Sequence, residues 1–266
     1  MEEPVLPLSD RGLAYGDGLF ETILVRDGRP LLWAEHVDRL LRGCRALSLP
    51  PPGSVELIDS LACCGPGLGV LKLVYTRGSG GRGYAPPPSV SPRLVSTWSS
   101  FTPDARRWHE GVQVRLCRLR LAAQPALAGI KHLARLENVL ARNEWHDTEI
   151  AEGLMLDEHG AVVEATAMNV FLRASEEAPV VTPPLDRCGV AGTLRQALIT
   201  AGAVSEAPLD VDQLQAGASL WVGNSVQGVW PVKQLSDSQG RQLSHWTVTP
   251  SGSCQFQQQA HALLGY

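Results

Sequence analysis

Between Leu119 and Gly129 the hydrophobic patterning of this chain lapses into small residues around Pro125. Patterned segments lie on both sides, so the lapse predicts two domains joined by a hinge. At 266 residues the chain has enough surface to bury for two modest cores. Strand and helix patterns interleave without the regular alternation of a doubly wound sheet, which points to an α+β architecture. The expected division is a small N-terminal α/β domain over 1–119, a linker over 120–128 and a larger C-terminal domain over 129–266.

The individual elements follow from local periodicity. Glu21 to Arg26 reads as a strand, Asp27-Gly28 as a tight turn and Arg29 to Trp33 as the return strand of a hairpin. From Ala34 to Leu47, Val37, Leu40, Leu41, Cys44 and Leu47 share one helical face, and Pro50-Pro51-Pro52-Gly53 ends that helix. A second helix is expected over Ser54–Cys63, with strands over Gly69–Thr76, Ser91–Ser99 and Gly111–Leu119. Beyond the lapse come a helix over His132–Trp145, strands near Leu154 and over Val162–Leu172, and a helix from Thr193. Strands around Leu220 and Val229 and a helix over Gln255–Leu263 complete the chain.

Composition narrows the function classes. A net charge of −4 gives a nucleic-acid partner no electrostatic support. No apolar run reaches membrane length, and Met-Glu-Glu-Pro does not resemble a leader, so a cytoplasmic protein is expected. The six cysteines show no Cys-x-x-Cys and no paired His spacing; they read as reduced thiols, and no metal site is expected.

Lys131 is one of three lysines against twenty arginines, and it stands in Ala-Gly-Ile-Lys-His-Leu at the expected start of a helix. A cation is mildly unfavourable there, and Ile130 and Leu133 read as buried, so an ordinary surface lysine fits poorly. A partly buried lysine is more available as a nucleophile. Neither Lys72 nor Lys233 has a comparable setting. Glu164 lies in the apolar run Ala161–Leu172, where an extended strand would place it on one face with Thr166, Met168, Val170 and Leu172. A carboxylate there needs a partner, either an arginine or a protonated pyridine nitrogen. A lysine able to form a Schiff base and an acid able to face such a nitrogen are what pyridoxal 5'-phosphate (PLP) requires of a protein.

Three further motifs bear on anion binding. Arg39, in His36-Val-Asp-Arg39-Leu, has a planar fork suited to phosphate, although a lone helical arginine is more often solvated. Gly189-Val190-Ala191-Gly192-Thr193-Leu194 precedes a helix, so its amides and the Thr193 hydroxyl suit an anion; its plainer reading is a turn with a cap. Asn224-Ser225 ends a buried strand and offers another hydroxyl. Gly78-Ser-Gly80-Gly-Arg-Gly83 matches a dinucleotide fingerprint formally, but Tyr84-Ala-Pro-Pro-Pro88 cannot open the helix that fingerprint needs. The segment is either a surface turn or a loop bringing Arg77 and Arg82 to an anionic substrate.

Taken in order, Ser9 to Thr22, His36-x-x-Arg39-Leu, Gly129-Ile-Lys131, Glu164-x-x-x-x-Asn169-x-Phe171 and Gly189-Val-Ala-Gly192 resemble the class IV aminotransferase-like PLP enzymes. The resemblance runs from Ser9 to Val232. Within that class, Arg77 to Tyr84, Leu127 to Asn138 and Asn224 to Val232 are most similar to the lyases that convert 4-amino-4-deoxychorismate to 4-aminobenzoate and pyruvate. The resemblance implies a two-domain fold of type IV, like that of D-amino-acid aminotransferases, forming a homodimer with its active site in the cleft between the domains. It implies Lys131 as the Schiff-base lysine and Glu164 at the pyridine nitrogen. The phosphate would be held by Arg39, the turn of Val190, Gly192, Thr193 and Leu194, and Ser225. Arg77 and Arg82 are the candidates for the substrate carboxylates. The chain departs from the pattern in its shorter N-terminal strand and in Ala134, where asparagine is common. The competing reading is a D-amino-acid or branched-chain aminotransferase using the same lysine and acid; a third is a non-catalytic relative.

Overall fold

A computed structural model describes residues 5–248 and 254–266. The chain divides into two compact units, one of residues 1–102 with 130–135 and the other of 103–129 with 136–266. This differs from the division expected near Leu119. The reason is pairing: the strand beyond residue 111 joins the second unit's sheet, and the residues around Lys131 join the first unit's.

The first unit opens with helix α1 (Arg11–Tyr15), which leads into β1 (Gly18–Arg26). The short β2 (Arg29–Pro30) follows, then α2 (Trp33–Ala46), α3 (Ser54–Asp59) with a 3-10 turn over Ser60–Cys63, β3 (Leu68–Thr76) and β4 (Arg93–Ser100). The sheet is antiparallel in the order β2-β1-β3-β4. The expected return strand to Trp33 covers only Arg29–Pro30; one more backbone bond, Leu31 N to Leu24 O at 2.8 Å, follows before Leu32 turns into the left-handed region (φ +51°) and Trp33 begins α2. The expected face of α2 packs as its spacing requires. Leu40 and Cys44 are buried against Leu19 and Tyr75, with Val37 and Leu47 partly covered. On the sheet's other residues, Ile23, Val25, Leu71 and Leu73 form a second cluster. Burying each such side chain contributes about 1.5–3 kcal/mol, which is what holds the strands that carry the site residues.

The second unit contains α4 (Arg106–His109), β5 (Val112–Leu121), α5 (Leu136–Arg142) and β6 (Ile150–Asp157). After these come β7 (Val162–Ala165), β8 (Asn169–Arg173), β9 (Val180–Thr182), α6 (Thr193–Thr200) and β10 (Ser205–Glu206). The chain closes with α7 (Val211–Ala216), β11 (Ser219–Asn224), β12 (Gly228–Ser236), β13 (Gln242–His245) and α8 (Gln255–Ala262). Its mixed sheet runs β10-β9-β8-β11-β12-β5-β6-β7, with β13 also on β12. The core gathers Val114, Leu154, Val170, Leu172, Val222 and Leu235, each at most 2% exposed.

Two expectations give way here. The helix foreseen over His132–Trp145 is confined to Leu136–Arg142. The backbone before it is spent on β1 instead: Phe20 N donates to Lys131 O at 3.0 Å and Leu133 N to Gly18 O at 3.0 Å. The strand foreseen over Val162–Leu172 is two strands, broken at Thr166–Met168. Ala165 N donates to Met168 O at 2.7 Å, closing a turn, while Thr166 donates its amide and hydroxyl to the buried Glu152. Glu164 therefore shares no continuous strand face with Val170 and Leu172.

Candidate active site

Lys131 sits in an extended segment, not at a helix start. Its carbonyl is bound by Phe20, and the next residue, His132, bridges Leu19 in antiparallel fashion. Both sides of the lysine are thus fixed to β1 by backbone bonds. Its Nζ lies 4.3 Å from the centre of the Phe20 ring, a cation–π contact.

The strand carrying Phe20 also carries Glu21, which is 1% exposed. Arg39 Nε donates to Glu21 Oε1 at 2.8 Å, its Nη2 pairs with Glu21 Oε2, and His36 Nδ1 lies 2.6 Å from the same oxygen. Burial alone would raise the Glu21 pKa. The opposing charge and hydrogen bonds of Arg39, joined by His36, bring it down to about 2. Burial pushes the His36 pKa down against the pull of Glu21. The result is a fixed carboxylate that sets the plane of the Arg39 fork. Arg39 stands in a recognisable sequence motif, whereas Glu21 pairs with residues 15 and 18 positions away and so has no local signature.

Arg77 differs from its expected role. It is 7% exposed and turned inward. Its Nε donates to Asp17 at 2.8 Å, Nη1 to Ser48 O at 3.0 Å and Nη2 to Leu47 O at 2.7 Å. Nη1 and Nη2 tie the residues after α2 to the end of β3, and Nε holds Asp17 ahead of β1, so the guanidinium is committed to contacts within the first unit. Asp17 also takes Arg11 Nε at 2.8 Å. Arg11, which sequence reading passed over, reaches the carbonyls of Gly83, Tyr84 and Ala85 and so tethers the glycine-rich loop. Gly78 (φ +82°) is required at the loop's base, where a Cβ would lie 1.9 Å from Ser91 O. Arg82, by contrast, is exposed on that tethered loop.

In the second unit, Glu164 is 4% exposed on β7. Its Oε2 accepts from Val190 N at 2.9 Å. Gly129 N donates to Gly189 O at 2.9 Å and Ala191 N to Gly129 O at 3.1 Å, so residues 189–191 are held on both sides. Asn169 Nδ2 donates to Val190 O at 3.0 Å, fixing the turn from β8. The turn leads into α6, whose N-cap Gly192 supplies no side-chain acceptor to the first turn. A Cβ at Gly192 would lie 2.0 Å from Asn169 Oδ1, so only glycine leaves that approach open. A helix N-terminus without its own side-chain cap, with the buried Thr193 hydroxyl as its first residue, suits an anion. The Ser225 side of the second unit is built by Asn224, whose Oδ1 accepts from Val226 N at 2.9 Å and Gln227 N at 2.7 Å. Ser225 is 8% exposed in that turn.

The described residues thus carry two constellations, Lys131 with Arg39–Glu21–His36 in the first unit and Glu164 with the 189–193 turn and Ser225 in the second. The class IV amino-transferase family model matches residues 18–235, which span both. The chain belongs to the class IV aminotransferases. Among its relatives, it is 35% identical over 240 residues to aminodeoxychorismate lyase of Vibrio harveyi, covering 87% of this chain and 88% of that one. It is 28% identical over 251 residues to the bifunctional aminodeoxychorismate lyase / D-amino acid transaminase of Mycobacterium tuberculosis, covering 88% and 83%. The fold is similar to the crystal structure of 4-amino-4-deoxychorismate lyase from Pseudomonas aeruginosa, with a TM-score of 0.84 and 41% identity over 99% of this chain and 95% of that one. The expectation of a type IV, α+β fold stands.

Proposed function

We propose that this class IV chain is a PLP-dependent carbon–oxygen lyase that converts 4-amino-4-deoxychorismate to 4-aminobenzoate and pyruvate. The observation that carries the reading is the near full-length likeness to lyases at 35% and 41% identity. PLP fits the residues present. Gly192 lets the turn close against Asn169 where a Cβ would lie 2.0 Å from its Oδ1, and the turn leads directly into the N-terminus of α6, which carries the buried Thr193 hydroxyl. Arg39, the amides and hydroxyl of residues 190–194 and Ser225 would hold the phosphate, Lys131 would attach the aldehyde carbon and Glu164 would face the ring nitrogen.

When bound, the cofactor supplies an electron sink for charge developing at the amine-bearing carbon. Glu164, held by the Val190 amide, would keep a proton on the ring nitrogen. Lys131 Nζ would take the proton from the substrate's amine-bearing ring carbon and return one to the departing enolpyruvyl group. The carbon–oxygen bond breaks, the ring becomes aromatic, and the enolpyruvyl fragment leaves as pyruvate. Arg82 is the candidate for a substrate carboxylate; Arg77 positions rather than binds. The aminotransferase reading uses the same lysine and acid, and the bifunctional relative keeps it as the second choice.

A homodimer belongs to this proposal. Leu136, Val139 and Leu140 line one side of α5 at 75%, 51% and 59% exposure, an apolar surface of the kind covered by a partner. No helix among the described residues is long and apolar enough to cross a membrane; a cytoplasmic location is part of the proposal.

The test is to incubate PLP-loaded protein with 4-amino-4-deoxychorismate and no 2-oxo acid. Equimolar 4-aminobenzoate and pyruvate over repeated turnovers are expected. No product, with conversion of the cofactor to its pyridoxamine form by amino-acid donors, would make the chain a transaminase instead.

A further inference from the structure

The hairpin from β11 to β12 turns through residues 225–227, with Asn224 paired to Gly228. Short hairpin loops that end on a left-handed glycine close without outside help, and Gly228 has a φ of +73°. Asn224 Oδ1 already takes the amides of Val226 and Gln227, as an Asx turn does. Closure of the loop therefore asks nothing more of the second unit.

Three aromatic side chains nevertheless converge on it. Trp108 on α4, His261 on α8 and Tyr266 beyond α8 pack ring to ring. Their centroids lie 4.8 Å apart for Trp108 and His261, 4.6 Å for Trp108 and Tyr266, and 5.9 Å for His261 and Tyr266. Each ring gives its polar atom to a different backbone group of the hairpin. Tyr266 Oη donates to Val226 O, and Trp108 Nε1 donates to Gln227 O at 2.8 Å. Val229 N donates to His261 Nε2 at 3.1 Å, in the neutral ring that burial favours. Gly228 is what admits this approach, since a Cβ there would lie 2.7 Å from His261 Nε2. The bonds from Asn224 set the shape of the loop but not its place relative to the rest of the unit. Only contacts from outside the loop can do that, and the three rings supply them within four residues of Ser225.

We propose that Trp108, His261 and Tyr266 are positioning residues that hold the Ser225 loop in place for the phosphate of PLP. They act through the backbone of residues 226–229 and not on the phosphate itself. A hydroxyl serves a phosphate only when its own support is fixed to within about 0.5 Å, and this loop would otherwise be steadied only by its own strands and Asn224. The inference rests on the reading of Ser225 as a phosphate ligand.

The experiment uses the PLP-loaded full chain. Tyr266→Phe and Trp108→Phe each keep an aromatic ring and remove one donor to the loop. Two quantities are read: the rate of PLP release on dilution, and the phosphorus-31 chemical shift of the bound phosphate. Release should quicken about three- to tenfold in each variant, the worth of one hydrogen bond, and the phosphorus signal should move from its wild-type position. Leu214→Val, a buried change on α7 that removes no bond to the loop, should lower the melting temperature and leave both readings alone. Wild-type release and an unmoved phosphorus signal in both Phe variants would overturn the proposal, as would an equal effect of Leu214→Val. Ser225→Ala separates this result from the reading beneath it. If Ser225→Ala loses PLP faster and the Phe variants do not, only the positioning role falls; if Ser225→Ala holds PLP as wild type does, Ser225 leaves the site and the proposal falls with it. Faster release from the Phe variants of a chain without lyase turnover would remove the lyase reading and leave the proposal standing.

Discussion

The carboxylate of Glu164 accepts the amide hydrogen of Val190 at 2.9 Å. One contact thus joins the acid to the turn that opens α6, so the candidate acid and the candidate anion cradle move together. Glu164→Gln keeps the shape and an acceptor for the Val190 amide but loses the charge needed to hold a proton on a pyridine nitrogen. Turnover should fall about a hundredfold or more, within the range for acid–base contributions, with melting temperature nearly unchanged. Steady-state kinetics beside a thermal melt test this; undiminished turnover would remove Glu164 from the site.

Lys131 is held by its own carbonyl and by the bridge at His132, both to β1. Its backbone position does not depend on the side chain. Lys131→Ala should therefore fold normally yet give no borohydride-fixed adduct with PLP. Mass spectrometry of the reduced protein decides it, and an adduct of wild-type yield would mean another lysine does the work.

Gly192→Ala places a methyl carbon where Asn169 Oδ1 now stands, 2.0 Å away. The turn must shift, and with it the first amides of α6. PLP affinity should drop at least about tenfold, the effect of one lost charge-assisted hydrogen bond. Fluorescence titration of the apoprotein measures it. An unchanged Kd would show that the turn does not hold the phosphate.

Arg77 and Arg82 separate stability from binding. Arg77→Met removes one of the two arginines on Asp17 and two bonds to carbonyls, while Arg11 stays on Asp17, so stability should fall by about 1–3 kcal/mol. Arg82→Ala should leave the melting temperature alone and raise KM about tenfold. The reverse pattern would restore Arg77 as the substrate contact.

Acid should destabilise the first unit through Glu21 and His36. Glu21 titrates near 4.5 when exposed and about 2 when folded, so its stabilisation is complete above pH 4.5 and is lost as pH falls toward 2. The His36 pKa is lowered in the fold; the unfolded chain takes up that proton first, and stability is lost as pH falls below about 6.5. Glu21→Gln should be less stable at pH 7, because Arg39 is left buried without its carboxylate. Its melting temperature should also fall less between pH 5 and 3 than that of wild type. Parallel pH profiles of the two proteins would contradict this assignment.

Much of the fold was legible locally. The apolar spacing of Val37, Leu40, Cys44 and Leu47 placed α2 and its buried face, and Gly192-Thr193 placed the start of α6, because capping and periodicity act over a few residues. The bounds of the two units were less legible. They depend on strands from distant parts of the chain finding partners, as β5 does between β6 and β12.

The sequence by itself determined the chemistry on offer: a lysine in a guarded position, an acid in an apolar run, a glycine turn before a helix, and their order along the chain. Those are properties of residue type and spacing. Tertiary structure decided how each group is used. It drew Lys131 out of a helix because β1 had backbone groups to pair with residues 131 and 133. It made Glu21 the partner of Arg39, and it turned Arg77 inward because Asp17 and the carbonyls at the end of α2 compete for its donors more closely than solvent does. Long-range hydrogen bonds between buried charges carry no local signature, so these roles become visible only when the chain is folded.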